Sequence, residues 1–294
     1  MSTEAMSTIF PDSPAALIVA HPGHEIRLHG WLELVRPRVF VLTDGSGRAS
    51  RSRLDATTAY LSEYGVERGG IYGRFTDREV YLALLARDFP IFLRLADELA
   101  DSFLRDGIGH VSGDATEGYN STHDVCRLLI DAAVEMASKT GGRAIRNFDF
   151  PIVNRPDYCV AGAALPLLRL ELDGHQFQRK VSSARKYYPE LASEVENTYA
   201  GGAAATAGAL DDYLARDEAE RREHARAGLD MFRVECLRPV VADEERTAVS
   251  SRPPFYETHA ERLVAAGHYE QVIRYREHLL PLSAALREHV ERCV

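Results

Sequence analysis

The chain has 294 residues, of which 45% are hydrophobic and 27% charged, enough to bury a substantial core in one large domain or in a domain with an appendage. Its formal net charge of -9 and the lack of any Lys/Arg block exclude a surface that tracks phosphates, so we expect no nucleic-acid partner. No apolar run approaches the roughly 20 residues needed to cross a bilayer, so we expect no membrane span.

The N-terminal segment 1–14, MSTEAMSTIFPDSP, has neither a basic stretch nor a long apolar core. It predicts a disordered leader rather than a signal peptide. The four cysteines lie far apart without a CxxC pair, which fits neither a disulfide framework nor a thiolate zinc site. We therefore expect a cytoplasmic protein.

Alternating strands and helices are predicted over residues 15–140. The runs AALIVAH (15–21) and RVFVLTD (38–44) are nearly continuous and apolar, as in strands buried on both faces of a parallel sheet. Residues between them have helical spacing, which gives a strand–helix–strand unit. Further predicted elements are a helix at 51–65, a helical stretch at 77–105, a strand at 108–113 and a helix at 123–142.

The pattern becomes less regular after residue 146. A late strand is predicted at 167–174, followed by helices at 175–200, 209–227 and 256–291. The fold class is therefore α/β, with a Rossmann-like, mostly parallel sheet and flanking helices over 15–175. A mainly helical extension, 176–294, is expected to pack on that core, covering one side of the sheet or the crevice, or to pair with a second copy in a homo-oligomer.

Three histidines fall where parallel strands end. His21 follows the first strand, His24 lies three residues later, and His123 opens a helix that follows a strand. Ligands of open parallel sheets bind at the carboxyl ends of the strands. Three imidazoles there can hold a metal and leave a fourth position open, although eleven histidines will also produce an H-x-x-H by chance.

Four segments in consistent order carry a family resemblance: LIVAHPGHE (17–25), VFVLTDGSG (39–47), RSRLDATTAYLSEYGV (51–66) and GYNSTHDVCRLLIDAA (118–133). Together they resemble the PIG-L/LmbE-type deacetylases, which have AHPDDE after the first strand and HPDH at the start of a later helix. A weaker match is FQRKVSSARKYYPEL (177–191), where the family has a Lys-containing helix.

The resemblance implies that His21, His24 and His123 hold a metal, with zinc expected and ferrous iron or another divalent ion left open. His24 stands where the family has an aspartate ligand. Gly23 stands where the family has the aspartate that resembles a general base, and Asn120 replaces a histidine thought to stabilise the oxyanion. Asparagine can still donate a hydrogen bond there but cannot act as a general acid.

A replacement base is therefore sought among nearby carboxylates. The candidates are Glu25, then Asp44 at the end of the second strand, then Asp124. Glu25 could equally cap the helix start or bind backbone N–H groups, and Asp124 could orient a ligand imidazole.

Substrate contacts are expected at Arg53 and Asp77, which fall where the family keeps polar groups near its metal. Each could instead be a solvated helix residue or a cap. Tyr119 could stack on a sugar ring or pack under its loop.

The predicted function is that of a zinc-dependent hydrolase, an N-deacetylase that cleaves an amide on an amino sugar or glycosylated metabolite, with a sugar-containing small molecule as substrate. The alternatives are another metal-dependent chemistry that needs no carboxylate at position 23, or a non-catalytic family member that binds a sugar-like ligand or a partner enzyme.

Overall fold

The structure is a computed structural model that describes residues 13–47, 51–158, 168–199, 209–216, 218–240 and 253–293. Almost all of the segment 1–14 that the sequence predicts to be a disordered leader lies outside the described residues. Within the described ranges, the helices are too short or too polar to traverse a bilayer.

A seven-stranded, mostly parallel sheet forms the centre of the fold. Its strands are β1 (Ala15–Val19), β2 (Arg38–Thr43), β3 (Arg68–Phe75), β4 (His110–Asp114), β5 (Arg146–Phe150), β6 (Leu168–Glu171) and β7 (Val234–Pro239). The spatial order is β3-β2-β1-β4-β5-β7-β6. The first five strands in that order are parallel to their neighbours, whereas β7 is antiparallel to both β5 and β6. The predicted α/β class is confirmed.

Helices flank the sheet. They are α1 (His29–Val35), α2 (Leu54–Glu63), α3 (Asp77–Leu85), α4 (Phe89–Arg105), α5 (Ser121–Gly141), α6 (Gly174–Tyr187), α7 (Pro189–Tyr199), α8 (Ala209–Leu214), α9 (Glu218–Ala227), α10 (Phe255–Ala265) and α11 (Leu280–Cys293). A 3-10 turn at His24–Leu28 precedes α1.

Both faces of the sheet are buried, as the alternation of side chains along β1 demonstrates. Ala16 and Ile18 pack with α4, α5 and α11 in one hydrophobic cluster. Leu17 and Val19 pack with α1, α2 and α6 in the other. A strand buried on both faces needs apolar residues at every position, which explains the continuous apolar runs in the sequence.

Three strands are not predicted from the sequence: β3, β5 and β7. In β3, Gly69 lies against Phe40, where a Cβ would enter the aromatic ring, and Gly73 has a φ of 62°. These glycines, together with register shifts against β2, hide the strand pattern. β5 lies where the sequence pattern becomes less regular. β7 lies inside the extension 176–294, so the division predicted at residue 175 does not separate sheet from helices.

Candidate functional site

The three predicted metal-ligating histidines lie together at the carboxyl ends of the strands. His21 lies two residues after the end of β1, His24 begins the 3-10 turn, and His123 lies in the first turn of α5. Their ring centroids form a triangle with separations of 5.2 Å for His21–His24, 5.1 Å for His21–His123 and 4.6 Å for His24–His123. The short step between the first two is made by Gly23, whose φ of 104° favours glycine.

Carboxylates lie behind two of the imidazoles. His21 Nδ1 is 2.9 Å from Asp77 Oδ1 and 2.8 Å from Thr43 Oγ1. His24 Nδ1 donates to Asp114 Oδ2 at 2.8 Å, and the same oxygen accepts the Ala20 amide at 2.9 Å. A carboxylate on Nδ1 fixes the tautomer and leaves Nε2 available as a ligand.

Burial favours the neutral form of His24 and His123. It lowers the pKa of His24, and the nearby His21 lowers it further. Burial likewise lowers the pKa of His123, assisted by His24 and His21. Burial opposes ionisation of Asp77, but the hydrogen bond and charge of His21 hold the pKa of that carboxyl well below its usual range. The site therefore combines two neutral imidazoles, those of His24 and His123, with an ionised carboxylate.

The donor set fits a borderline divalent ion such as zinc. His21 Nε2 and His123 Nδ1 are buried without a hydrogen-bond partner among the described residues, which is costly unless something binds them. In tetrahedral zinc sites with Zn–N distances of about 2.0–2.1 Å, neighbouring imidazole centroids lie about 5 Å apart. The observed triangle has this size.

The short distances between the ring centroids do not mean that one nitrogen atom of each imidazole points at a common centre. Across the described part of the chain, one trio of ligand-type side chains has its donor atoms all within 4.8 Å of one another, and it is Asp97, His289 and Cys293 where α11 packs on α4. That contact is already an ion pair, with His289 Nε2 2.6 Å from Asp97 Oδ1. The three site imidazoles need side-chain rotation to direct one nitrogen each at a common ion.

Asn120 lies beside the histidines as the N-cap of α5. Its Oδ1 accepts the Thr122 amide at 2.8 Å and the Tyr81 hydroxyl at 3.4 Å. Side-chain oxygens at this position satisfy an otherwise unpaired amide of the first helical turn. Because the oxygen is used in this way, the Nδ2 hydrogens are the part of Asn120 that can bind a ligand.

Arg53 and Asp77 both line the cavity next to the imidazoles. The Arg53 Nε is buried with no hydrogen-bond partner among the described residues. Gly45 permits this placement, because a Cβ there would lie 2.8 Å from Arg53 Nε. Tyr119 also lines the cavity, with its ring nearly parallel to that of Phe255 at a centroid distance of 5.6 Å.

The three candidate bases point into the protein rather than into the cavity. Glu25 is fully buried, accepts the Gly23 amide at 2.8 Å and accepts the Tyr188 hydroxyl. Asp44 accepts the Ser46 amide at 2.9 Å in a tight turn, and Asp124 accepts the Gly118 amide at 3.3 Å. None of these carboxylates belongs to the described lining of the cavity. The contact of Glu25 with the Gly23 amide is the backbone-binding role that the sequence left open for it.

The cavity has a volume of about 370 Å³ and two unlike walls. What we term the polar wall comes from the strand ends and holds the imidazoles with Arg53, Asp77, Tyr81 and Asn120. The wall that we term apolar comes from α6, α7, the loop after β5 and the segment 210–232. Its members are Ile152, Val153, Phe177, Val181, Ala184, Tyr188, Leu191, Ala192, Val195, Leu210, Leu229 and Phe232.

Sequence reasoning missed two residues that support the site. Asp114 ends β4 at the same edge of the sheet as the histidines, a position that could have identified it. Lys180 lines the cavity and donates to the Arg27 carbonyl at 2.8 Å and to Glu235 at 2.9 Å. It lies within the weaker motif match at 177–191.

Comparisons with known proteins find no matching family model and no matching curated protein. Among solved structures, the chain is similar to a zinc-inhibited form of the teicoplanin deacetylase Orf2, with 14% identity and a TM-score of 0.49 over 79% of this chain and 100% of that one. It is also similar to the A40926 pseudoaglycone deacetylase Dbv21, with 15% identity and a TM-score of 0.48 over 79% of this chain and 99% of that one. At these values the likeness identifies neither a family nor a substrate.

Proposed function

We propose that this chain is a metal-dependent hydrolase that removes an acyl group from the nitrogen of an amino sugar or related glycosylated metabolite. One observation carries the proposal. The imidazoles of His21, His24 and His123 lie together at the polar end of a cavity, with ring centroids 4.6 to 5.2 Å apart, and two of them have a carboxylate oxygen within 2.9 Å of Nδ1. The resemblance of the flanking segments to the PIG-L/LmbE-type deacetylases points to the same reaction class.

The histidines are suited to hold a zinc or other divalent ion because burial keeps His24 and His123 neutral. Bound there, the ion would supply Lewis-acid chemistry that acidifies water and polarises an amide carbonyl. Asp77 and Asp114 keep the Nδ1 protons of His21 and His24 in place, so that Nε2 remains the donor atom.

Two further residues of the polar wall handle the substrate. Asn120 offers its Nδ2 hydrogens to the oxygen on which negative charge develops during acyl transfer. Arg53 offers to a hydroxyl or carbonyl oxygen of the sugar a buried Nε–H that has no partner in the described part of the chain. Both donors are positioned before the substrate arrives, which reduces the reorganisation that binding requires.

A second candidate function follows from Gly23. No carboxylate stands at this position, and Glu25, Asp44 and Asp124 are engaged in packing. A protein that binds a sugar-like ligand without cleaving it needs no general base, so it would not require a carboxylate at position 23 or a free carboxylate nearby. Retention of metal together with amine release separates the two functions.

The test is metal analysis of protein purified without added ions, followed by release of free amine from a panel of N-acyl amino sugars. Wild type should contain about one ion per chain, and His123→Ala should lose it with at least about a 100-fold fall in amine release. His175→Ala, on an exposed turn of α6, is the matched control and should change neither value.

Circular dichroism of His123→Ala should show an intact fold, since the imidazole lies at the rim of the sheet. Metal-free wild type that releases no amine would overturn the hydrolase in favour of the binding protein. Equal metal content in wild type and His123→Ala would remove His123 from the ligand set.

A further inference from the structure

The apolar wall continues directly from the imidazoles. Phe177, Val181, Ala184 and Tyr188 repeat along one face of α6, and Leu191 and Ala192 of α7 extend the same surface. These positions recur at the helical spacing of three and four residues. A continuous hydrocarbon surface therefore begins where the reacting amide would lie.

The polar side chains of Lys180, Tyr188 and Glu196, which line the cavity beside or within this wall, already have partners within the protein, and that of Glu196 is Arg185. Lys180 Nζ donates to Arg27 O and to Glu235 Oε1. The Tyr188 hydroxyl contacts the Glu25 carboxylate and lies 3.0 Å from Thr57 Oγ1. A sugar placed against this wall would lose hydrogen bonds to water without replacing them, which is unfavourable. A hydrocarbon chain would have no such cost.

We infer that the apolar wall binds a medium-length acyl chain on the substrate nitrogen, an inference that rests on the proposed function. The amide carbonyl lies between the two walls, near the imidazoles and Asn120. Arg53 and Asp77 of the polar wall suit the hydroxyls of the sugar. The remaining substituent of the carbonyl, the acyl chain, then extends along α6 and α7.

The first experiment measures amine release from glucosamine carrying acetyl, butanoyl, octanoyl or dodecanoyl groups on nitrogen. A buried methylene is worth about fourfold in affinity, so octanoyl should exceed acetyl in kcat/KM by at least about 100-fold. A parallel arm uses N-acetylglucosamine with an octyl group at the anomeric oxygen. A gain confined to that arm, or equal rates for acetyl and octanoyl, would overturn the acyl assignment.

Failure of the proposed function looks different, because then no member of either series releases amine. Octanoate binding to metal-free protein, measured by calorimetry, gives a readout that needs no catalysis. Wild type should bind octanoate and not acetate. Absence of octanoate binding would overturn the inference whatever the rates.

The second experiment places a larger side chain in the apolar wall, which leaves less room for the acyl chain. Ala192→Phe should lower the octanoyl-to-acetyl ratio of kcat/KM at least about tenfold and abolish octanoate binding, because the added ring occupies the chain's path. Ser193→Phe, at the exposed neighbouring position of α7, is the control and should leave the ratio unchanged. An equal fall for both acyl groups in Ala192→Phe would contradict the inference.

A second variant with a smaller added side chain is used if the Ala192→Phe variant does not fold. Ala184→Leu, on α6, adds bulk to the same wall and should also lower the ratio. An unchanged ratio in a folded Ala184→Leu variant would count against the acyl chain.

Discussion

The two walls of the cavity use polar groups in opposite ways. In the polar wall, Asp77 and Asp114 contact Nδ1 of His21 and His24, while His21 Nε2 and Arg53 Nε are buried without a hydrogen-bond partner among the described residues. At the apolar wall, the Lys180 ammonium binds Arg27 O and Glu235, and the Tyr188 hydroxyl binds Glu25. Both side chains therefore present carbon to the cavity. The first arrangement suits chemistry, whereas the second suits selection of a substrate by shape.

One buried ion pair connects the walls. Glu235 of β7 accepts the amides of Gly30 and Trp31 at the start of α1, at 3.0 and 2.9 Å, and binds Lys180 of α6 at 2.9 Å. It therefore caps a helix of the strand-end region and anchors α6, which contributes Phe177, Val181 and Ala184 to the apolar wall. The variants below separate this connection from the roles of each wall.

The largest effect on stability is expected for Glu235→Ala. The substitution leaves the Lys180 ammonium buried without its counter-charge and removes two amide acceptors, so unfolding free energy should fall by about 3–5 kcal/mol. Urea denaturation measures the change. Glu171→Ala, at an exposed position of β6, is the control and should shift the free energy by less than about 0.5 kcal/mol. A similar small shift in Glu235→Ala would mean that the walls are held together by packing alone.

Asp114→Asn tests the polar wall. An amide in place of the carboxylate weakens the hold on His24 Nδ1–H, so metal affinity should fall about 10–100-fold while the fold is kept. Competition with a chelator measures the affinity. Asp101→Asn, on an exposed part of α4, should leave it unchanged. Unaltered affinity in Asp114→Asn would show that His24 needs no carboxylate to act as a ligand.

Gly23→Asp tests whether Leu191 of the apolar wall limits which residue can stand at position 23, between His21 and His24 of the polar wall. The φ of 104° strains any other residue, and a Cβ would lie 2.6 Å from Leu191 Cδ1, so the expected cost is about 1–3 kcal/mol of stability. Thermal unfolding measures it. Adding Leu191→Ala should recover part of the loss, since the leucine tip is the obstacle.

The matched control is Gly174→Asp, at a position where a Cβ meets nothing within 4 Å. It should cost little at the start of α6, where an acidic side chain is favourable. If Leu191→Ala gives no recovery in the Gly23→Asp background, the penalty comes from the backbone alone.

The strand-end region could be predicted from sequence because each step has a local signal. A continuous apolar run marks β1 or β2, and the first polar residue after it marks the edge where ligands bind. This signal predicts that His21 and Asp44 lie at strand ends, and the motif at 118–133 predicts that His123 lies at the same edge. Their contacts could not be predicted, because Asp44 turns towards the Ser46 amide through the geometry of a tight turn.

The apolar wall had no comparable signal. Helical periodicity in α6 identifies one apolar face, but a buried core and a cavity wall need the same residues. Leu191 approaches Gly23 across 168 positions of chain, a contact that spacing cannot reveal. In β7, the short VECLRP segment alternates polar and apolar residues too briefly to stand out among predicted helices.

Because β7 lies antiparallel between β5 and β6, the sheet can be completed only late in the synthesis of the chain. Strands β1 to β5 can pair once residue 150 has been synthesised, but β5 then has one unpaired edge until residues 234–239 emerge. An open strand edge is a template for pairing with other chains, and strand pairing across such a long loop is slow. We therefore expect the nascent chain to be most prone to aggregation between the synthesis of β5 and that of β7, whose Glu235 binds Lys180 of α6.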